Sequence, residues 1–280
     1  MPIDPAKAVG AALPSQEMSW NTSDVLLYHL ALGAKADELR YVYERDLRVL
    51  PTFAVVAGTL RETEPPSLEM PGVDVDLVQA LHGRQELTVH GAIPPDGRAT
   101  ARSRIVDVYD KGSAAVIVTE TSTPYFTNRT SIFVRNEGGF GGSRGPSTRE
   151  PVPDRRPDIT VLSPTWPQQA LLYRLCGDRN PLHADPDFAA LAGFDRPILH
   201  GLCTYGMVCK AVVDAALGGD PSRVAGFSVR FAGVVYPGET LRTRIWREPD
   251  RLQLLTTVAD RDDAPALADA HLTTDADNLF

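Results

Sequence analysis

The sequence predicts an α+β fold made of two similar halves, each with an antiparallel sheet wrapped around a central helix. Several stretches alternate between apolar and polar residues and end in turns, which is typical of antiparallel strands with one solvated face. One helical motif occurs twice, as LLYHLALGA at 26–34 and as LLYRLCGD at 171–178. A spacing of roughly 140 residues is too long for a solenoid repeat and favours a duplicated domain.

The boundary between the halves is predicted from composition. Residues 137–158, EGGFGGSRGPSTREPVPDRRPD, are rich in Gly, Pro, Ser and charge. No helix pattern follows these glycines within reach, so they indicate a linker rather than a phosphate-binding loop. We therefore expect an N-terminal half at 1–136 and a C-terminal half at 159–280.

The alternating stretches supply the strands of both sheets. In the first half they are LHGRQELTVHGAIPPDG, RATARSRIVDVYD and SAAVIVTETS. In the second half they are GFSVRFAGVVYPGET, TLRTRIWRE and LQLLTTVAD. The similar order predicts similar sheets.

Helix start and stop signals surround both copies of the repeated motif. The first copy follows Thr22-Ser23. The second follows Thr165, with Gln168 three residues later in a capping-box pattern, and should end at Gly177. After Asp185, a second short helix is expected with Pro186 at its first position and Gly193 past its end.

The strongest helix pattern covers residues 201–217, GLCTYGMVCKAVVDAAL. Lys210 and Asp214 are spaced i, i+4 and mark one polar stripe on an otherwise apolar helix. Such a helix should be nearly enclosed, and Gly218-Gly219 should end it. In the first half, we expect the corresponding enclosed helix at residues 73–82.

Composition limits the classes of function. The chain has 280 residues, of which 43% are hydrophobic and 23% charged, with a net charge of -8 and a pI near 5.3. This acidic balance argues against nucleic-acid or anionic-membrane binding, which need a basic surface. Three cysteines, with no secretory signal and no apolar run long enough to span a bilayer, predict a cytoplasmic protein.

A short stretch at 176–183, CGDRNPLH, concentrates polar chemistry between two predicted helices. Asp178, Asn180 and His183 lie within it, although Asp and Asn beside Pro are also ordinary turn formers. Together with Asp185 and His200 this set offers metal ligands, but no known ligand spacing is met. No Gly-x-Ser-x-Gly occurs, and the cysteines at 176 and 203 lie in apolar helix patterns, so a Ser or Cys nucleophile is poorly supported.

The longer stretch at 178–201, DRNPLHADPDFAALAGFDRPILHG, resembles the hydratase 2 motif of the MaoC-like (R)-specific enoyl-CoA hydratases. The resemblance continues through PILHGLCTYG and RFAGVVYPGETL, and more loosely through LHG at 81–83. Members of this family have the hot-dog fold, and the longer ones carry two hot-dog repeats in one chain. The resemblance therefore implies a double hot-dog protein.

The resemblance also assigns roles in the catalytic loop. Asp178 and His183 would hold and activate one water, Asn180 would orient them, and the backbone N–H of Gly201 would face the thioester oxygen. Physical chemistry supports the last role, because the free N–H groups and positive dipole end of a helix N-terminus favour a developing oxyanion.

Further substrate contacts follow from the same resemblance. They fall on His82, Gly83, Lys111 and Phe231, and on the loop residues Arg179, Pro181 and Leu182. Lys111 would give the phosphates of coenzyme A a local cation on an acidic protein. Lys111 could equally be a solvated turn lysine, and Phe231 could be a plain core residue.

The first half departs from the motif. Ala34 stands where the second half has Asp178, and KADELRYVYERD follows without an Asn-Pro-x-His sequence. The sequence therefore predicts one active site per chain. The first half would instead accommodate the acyl chain, with Val78, Leu81 or other apolar residues of the predicted helix beside the tail.

These expectations define one function and its alternatives. The resemblance implies reversible (R)-specific hydration of trans-2-enoyl-CoA to (3R)-3-hydroxyacyl-CoA by a homodimer, and this chemistry needs no metal or organic cofactor. The alternatives are a 3-hydroxyacyl-carrier-protein dehydratase and a non-catalytic acyl-CoA-binding hot-dog protein. A hot-dog thioesterase would need an acidic residue on the central helix, where Asp214 alone is available, far from Gly201.

Overall fold

A computed structural model describes residues 2–147 and 149–274, so residues 275–280 of the predicted C-terminal half lie outside the described residues. The strands are β1 (Gln16–Trp20), β2 (Glu69–Met70), β3 (Val73–Asp74), β4 (Ala80–Val89), β5 (Gly97–Asp110), β6 (Ala114–Ser122), β7 (Phe126–Arg135), β8 (Ile159–Pro164), β9 (Val224–Phe231), β10 (Thr240–Arg247), β11 (Leu252–Val258) and β12 (Ala264–Thr274). The α-helices are α1 (Pro5–Ala8), α2 (Thr22–Ala31), α3 (Leu39–Val42), α4 (Gln169–Tyr173), α5 (Pro186–Leu191) and α6 (Gly201–Ala216). Short 3-10 helices cover Pro51–Val55, Leu77–Gln79, Arg174–Cys176, Pro181–His183, Pro221–Arg223 and Ala259–Arg261.

Ten strands form one antiparallel sheet that runs through both halves. Its order is β1-β5-β6-β7-β4-β9-β12-β11-β10-β8, in which each half contributes five consecutive strands. The two halves meet where β4 pairs with β9, with Gln85 opposite Val229. The mirrored order within the sheet fits the predicted duplication, and the predicted α+β class is confirmed.

The predicted helix at residues 73–82 is wrong. This stretch contains β3, one turn of 3-10 helix at Leu77–Gln79, and the start of β4. Val73, Val75 and Leu77 alternate with acidic residues, which is a strand period, and β4 bonds to neighbours on both sides. The 3-10 helix Pro51–Val55 of the first half packs on α6, as do Tyr28 and Leu32 at Gly206.

The helices that contain the two copies of the repeated motif begin with different N-cap residues from those predicted. Asn21 caps α2 in a capping box with Asp24, one residue before the expected start. The capping box at Thr165 and Gln168 does not form: the Thr165 hydroxyl donates to the carbonyl of Glu239 at 2.7 Å, and α4 begins at Gln169. Thr165 lies next to the sheet, and this partner draws its hydroxyl away from the helix.

The central helix α6 is confirmed where the sequence predicts it. Most of its residues are buried, and Gly218 and Gly219 follow it with positive φ values of 67° and 73°. Lys210 on this helix bonds Asp214 at 2.9 Å, and it also reaches Glu38 of the first half at 2.7 Å. The polar stripe of α6 therefore binds one half to the other.

The glycine-rich segment between β7 and β8 folds back on the first half. The carboxylate of Asp110 accepts hydrogen bonds from the backbone N–H groups of Gly112, Gly139 and Gly141. These bonds hold the pKa of Asp110 below its usual value. Among the described residues, the segment between Arg135 and Ile159 contains no helix or strand.

Two sequence-based expectations concern membrane-spanning helices and the state of the cysteines. None of the helices described is long and apolar enough to cross a membrane. Cys176, Cys203 and Cys209 are free thiols and are buried.

Candidate active site

A cavity of about 380 Å³ lies between the two halves, against the N-terminal end of α6. The described residues that line it are mostly apolar and include no Lys or Arg. Seven of the predicted site residues line it: His82, Asp178, Asn180, Leu182, His183, Gly201 and Phe231. The structure therefore brings most of the predicted site to one place, although the residues come from β4, β9, α6 and the loop after Gly177.

The other four predicted residues do not line this cavity. Gly83 lies at the irregularity in the β4–β7 register, and a Cβ there would lie 3.3 Å from the carbonyl oxygen of Ser131. Pro181 begins the 3-10 helix of the loop, and Arg179 donates from Nε to the carbonyl of Glu62 at 3.1 Å. The Lys111 ammonium bonds the carbonyls of residues 144 and 146 in the glycine-rich segment.

The loop at residues 178–183 is shaped by its own side chains. Gly177 ends the preceding helix with a φ of 106°, which Gly adopts without strain. Asp178 accepts a hydrogen bond from the backbone N–H of Asn180 at 3.2 Å. The side-chain oxygen of Asn180 accepts from the N–H of Leu182 at 3.0 Å and caps the 3-10 helix. These bonds place Asp178 and His183 on the cavity side of the loop.

His183 is held as a neutral imidazole with one free lone pair. Its Nδ1 lies 2.9 Å from the carbonyl oxygen of Ile198, which can only accept, so Nδ1 carries the proton. Nε2 is then the acceptor. Burial lowers the pKa of His183, although the neighbouring Asp178 works in the opposite direction. A buried, neutral imidazole beside a carboxylate is well suited to take a proton from water.

His200 is a second imidazole in contact with the first. The rings of His183 and His200 stack with centroids 3.7 Å apart and an interplanar angle of 29°. His200 Nε2 lies 3.3 Å from the carbonyl oxygen of Asp178, and the ring of Tyr173 lies 4.9 Å away on centroids. The side chain is fully buried, and burial lowers its pKa well below the usual value. The sequence identified His200 only as a possible metal ligand.

The same three side chains form the candidate metal cluster. Ligand atoms of Asp178, His183 and His200 lie within 4.8 Å of one another. Asp185 is not part of this group, because it caps α5 through the N–H groups of residues 187 and 188. Imidazole lone pairs lie in the ring plane, so two stacked rings direct them side by side rather than toward one ion. The geometry favours an acid/base pair with a supporting ring.

Gly201 presents its backbone N–H at the start of α6. It is the first helical residue, no side chain caps this end, and Gly201 lines the cavity. A Cβ at this position would lie 3.0 Å from the ring of Phe231, so glycine lets Phe231 pack closely against the start of α6. The ring of Phe231 lies 4.7 Å from that of His82, whose pKa burial lowers to about 4. The first half thus adds a neutral imidazole to the site.

Arg196 is a cation near the site that the sequence reasoning missed. Its guanidinium lies 4.6 Å from the ring centroid of Tyr236. Tyr236 packs against the cluster of Leu182 and Ile198, both of which line the cavity. No ion pair joins Arg196 to a carboxylate among the described residues. Its position inside FDRPILHG was visible in the sequence, but the packing of Tyr236 was not.

Comparison with known proteins agrees with this geometry. The family description "MFE-2 hydratase 2 N-terminal domain" matches residues 18–139, and "MaoC like domain" matches residues 146–260. Enoyl-CoA hydratase ChsH3 of Mycobacterium tuberculosis is 52% identical over 97% of this chain and 99% of its own. The peroxisomal enoyl-CoA hydratase 2 of Arabidopsis thaliana is 39% identical over 89% of each chain. The crystal structure of a MaoC-like dehydratase from Phytophthora capsici superposes with a TM-score of 0.89 and 28% identity, over 98% of this chain and 99% of that one.

Proposed function

This chain belongs to the hydratase 2 family of MaoC-like proteins, and from that membership we propose how its cavity works. It is an enoyl-CoA hydratase with the double hot-dog fold, a hydro-lyase that adds water reversibly to trans-2-enoyl-CoA and gives (3R)-3-hydroxyacyl-CoA. The observation that carries the proposed mechanism is the convergence of Asp178, His183 and the N-terminus of α6 on one cavity.

Asp178 and His183 hold the reacting water between them. The lone pair on His183 Nε2 takes one proton from that water, and the carboxylate of Asp178 accepts a hydrogen bond from it. The oxygen then forms a bond to C3 of the enoyl thioester, and the proton passes from this pair of side chains to C2. Because both groups lie on one face of the substrate, the addition is syn.

The backbone N–H of Gly201 stabilises the enolate oxygen that forms when water adds. This group is at the positive end of the sixteen-residue helix α6, and no side-chain cap competes for it. One such donor typically contributes about 3 kcal/mol to the transition state. The ring of Phe231, packed on Gly201, excludes water from the same wall.

The proposed chemistry uses neither a metal nor an organic cofactor. The enoyl thioester is itself electrophilic at C3, and the stacked arrangement of the two imidazoles suits proton transfer rather than ligation. The homodimer and the cytoplasmic location remain predictions from the sequence.

Each alternative function would need chemical groups that can be compared with the residues of the site. A thioesterase would need Asp214 as its acid, but this carboxylate is bonded to Lys210, Arg40 and Tyr41 toward the other end of α6. A non-catalytic binding protein would have no use for a water-binding acid and base. A carrier-protein dehydratase would use the same chemistry on a different thiol carrier.

A spectrophotometric hydration assay tests the function. Purified protein is incubated with crotonyl-CoA and longer trans-2-enoyl-CoA esters, with and without EDTA, and the product is analysed for chirality. We expect loss of the conjugated thioester absorbance, the (3R) product, and equal rates in EDTA. An (S) product, or a rate lost in EDTA and restored by a divalent ion, would overturn the proposed mechanism.

A further inference from the structure

One segment of the first half contacts both the catalytic loop and the cavity. Residues 59–70, called the strap, begin beside Gly177 and end in the hairpin of β2 and β3. Between these ends, residues 61–67 are exposed. Among the described residues, no backbone hydrogen bond ties residues 63–68 to the sheet.

The first end of the strap is fixed to the catalytic loop by three contacts. The hydroxyl of Thr59 donates to the carbonyl of Cys176 at 3.3 Å. The carbonyl of Thr59 lies directly against the Cα of Gly177, where a Cβ would be only 1.7 Å away. Arg179, between the catalytic residues 178 and 180, donates to the carbonyl of Glu62 at 3.1 Å. Any movement of this end therefore moves the loop that carries Asp178.

The same end is anchored to the first half by an ion pair. Arg61 donates two hydrogen bonds of 2.8 Å to the carboxylate of Asp24, in the first turn of α2. Asp24 is largely buried, and the pair is bidentate, a geometry that fixes orientation as well as distance. The middle of the strap, in contrast, has no such anchor among the described residues.

Two side chains of the strap face the cavity. Pro66 and Leu68 both line the cavity, and both are apolar. Among the described residues, the cavity lining offers no Lys or Arg for the phosphates of coenzyme A, and Pro66 and Leu68 present only apolar surface, which suits the acyl chain of a substrate. An acyl chain long enough to reach them would order the middle of the strap, whereas a short chain would leave it unsupported.

We propose that the strap couples the acyl end of the cavity to the catalytic loop, so that an acyl group touching Pro66 and Leu68 raises kcat. Arg179 and Thr59 are then positioning residues, and Leu68 determines specificity through the rate of catalysis. Binding energy from a remote part of the substrate is used in the transition state, and truncated substrates lose kcat as well as affinity. This inference rests on the proposed hydratase function.

The test is a double-mutant cycle on two substrates. kcat and KM are measured for crotonyl-CoA and trans-2-decenoyl-CoA in wild type, Leu68→Ala, Arg179→Ala and the double variant. We expect each single substitution to lower the ratio of kcat for decenoyl-CoA to kcat for crotonyl-CoA about five- to tenfold. The double variant should lower the ratio no further, because both substitutions break one connection.

The matched control is Leu191→Ala, which removes a leucine that is 75% exposed on α5 and outside the cavity, and it should leave the ratio unchanged. Effects of Leu68→Ala confined to KM, equal losses on both substrates, or additive losses in the double variant would each overturn the coupling. Absence of any hydration by the wild type would instead refute the proposed function.

Discussion

The imidazole of His200 lies flat against that of His183, with ring centroids 3.7 Å apart. His200 immediately precedes Gly201, and its Nε2 also contacts the backbone carbonyl of Asp178. One buried side chain thus touches the imidazole of His183, the backbone of Asp178 and the start of α6. In the proposed mechanism His200 is a positioning residue, and its ring also covers one face of His183.

The first prediction concerns the pH dependence of kcat/KM. Burial lowers the pKa of His183, so the neutral base should persist below pH 6.5, and kcat/KM should fall only as pH drops through the lowered pKa. In His200→Ser, water reaches the imidazole and its charged form is better solvated. The pKa should then rise toward 6.5, and the acidic limb of the profile should move to higher pH.

His200→Phe is the control for this shift, because it keeps an aromatic ring against His183 while it removes the contact with Asp178. Its acidic limb should stay near that of the wild type even if kcat falls. An acidic limb that stays in place in His200→Ser would contradict the role assigned to the ring.

The second prediction compares two glycines with the same backbone conformation. Gly177 and Gly193 have φ values of 106° and 85°, but only Gly177 contacts another segment, the carbonyl of Thr59. Gly193→Ala should cost about 1 kcal/mol of unfolding free energy and leave kcat intact. Gly177→Ala has the same strain plus a clash with backbone, and kcat should fall at least tenfold. Urea unfolding measures the free energy of unfolding of each variant, and hydration kinetics measure its kcat. Equal kcat values in the two variants would show that the contact between Gly177 and Thr59 does not support catalysis.

The third prediction concerns the phosphates of coenzyme A. Arg196 lies over Tyr236, which packs against the cavity-lining residues Leu182 and Ile198, whereas Lys111 bonds carbonyls of the glycine-rich segment. Arg196→Ala should raise KM for crotonyl-CoA about tenfold, the loss of one charge-assisted contact. The same variant should behave like wild type with the crotonyl thioester of N-acetylcysteamine, which has no phosphate. Lys111→Ala should leave KM for both substrates unchanged, and a larger effect at Lys111 than at Arg196 would reverse this assignment.

The fourth prediction concerns the depth of the acyl cavity. Ala80 lines the cavity from β4, beside Leu77 and Leu81. Ala80→Leu should block part of the tail, and each excluded methylene forfeits about 0.8 kcal/mol. If the leucine side chain excludes the last four carbons of a long acyl chain, kcat/KM for that substrate should fall relative to crotonyl-CoA by about two orders of magnitude. Val78→Leu adds a methylene just outside the lining and should preserve chain-length preference; a uniform loss across chain lengths in Ala80→Leu would contradict this placement.

Local patterns in the sequence were sufficient to predict β4–β6 and β9–β11 and to locate the loop at 178–183, whereas β1, β7, β8 and β12 were not predicted. The period-two alternation of β5, β6, β10 and β11 is independent of the rest of the chain, and the loop is defined by turn residues next to each other. The stretch at 73–82 begins with the same period-two alternation, but the segment LVQAL at 77–81 fits a helix as well as a strand. Pairing of β4 with both β7 and β9 decides it.

The roles that the sequence did not reveal depend on distant partners. Lys111 is drawn to carbonyls more than thirty residues later, which no local motif indicates. His200 acquires its role by stacking on a residue of a different element, and Arg196 by packing on Tyr236. Such contacts follow from tertiary packing, so the motif located the site but not its supporting side chains.

The central claim is that Asp178 and His183 act together on one water. The most direct measurement is kcat for crotonyl-CoA in wild type, Asp178→Asn, His183→Ala and the double variant, with circular dichroism to verify folding. Each single substitution should reduce kcat by about two to four orders of magnitude, the usual contribution of acid–base catalysis. The double variant should be little worse than either single one, because residues that act as a unit are not additive. Substantial activity in both folded single variants would contradict the account.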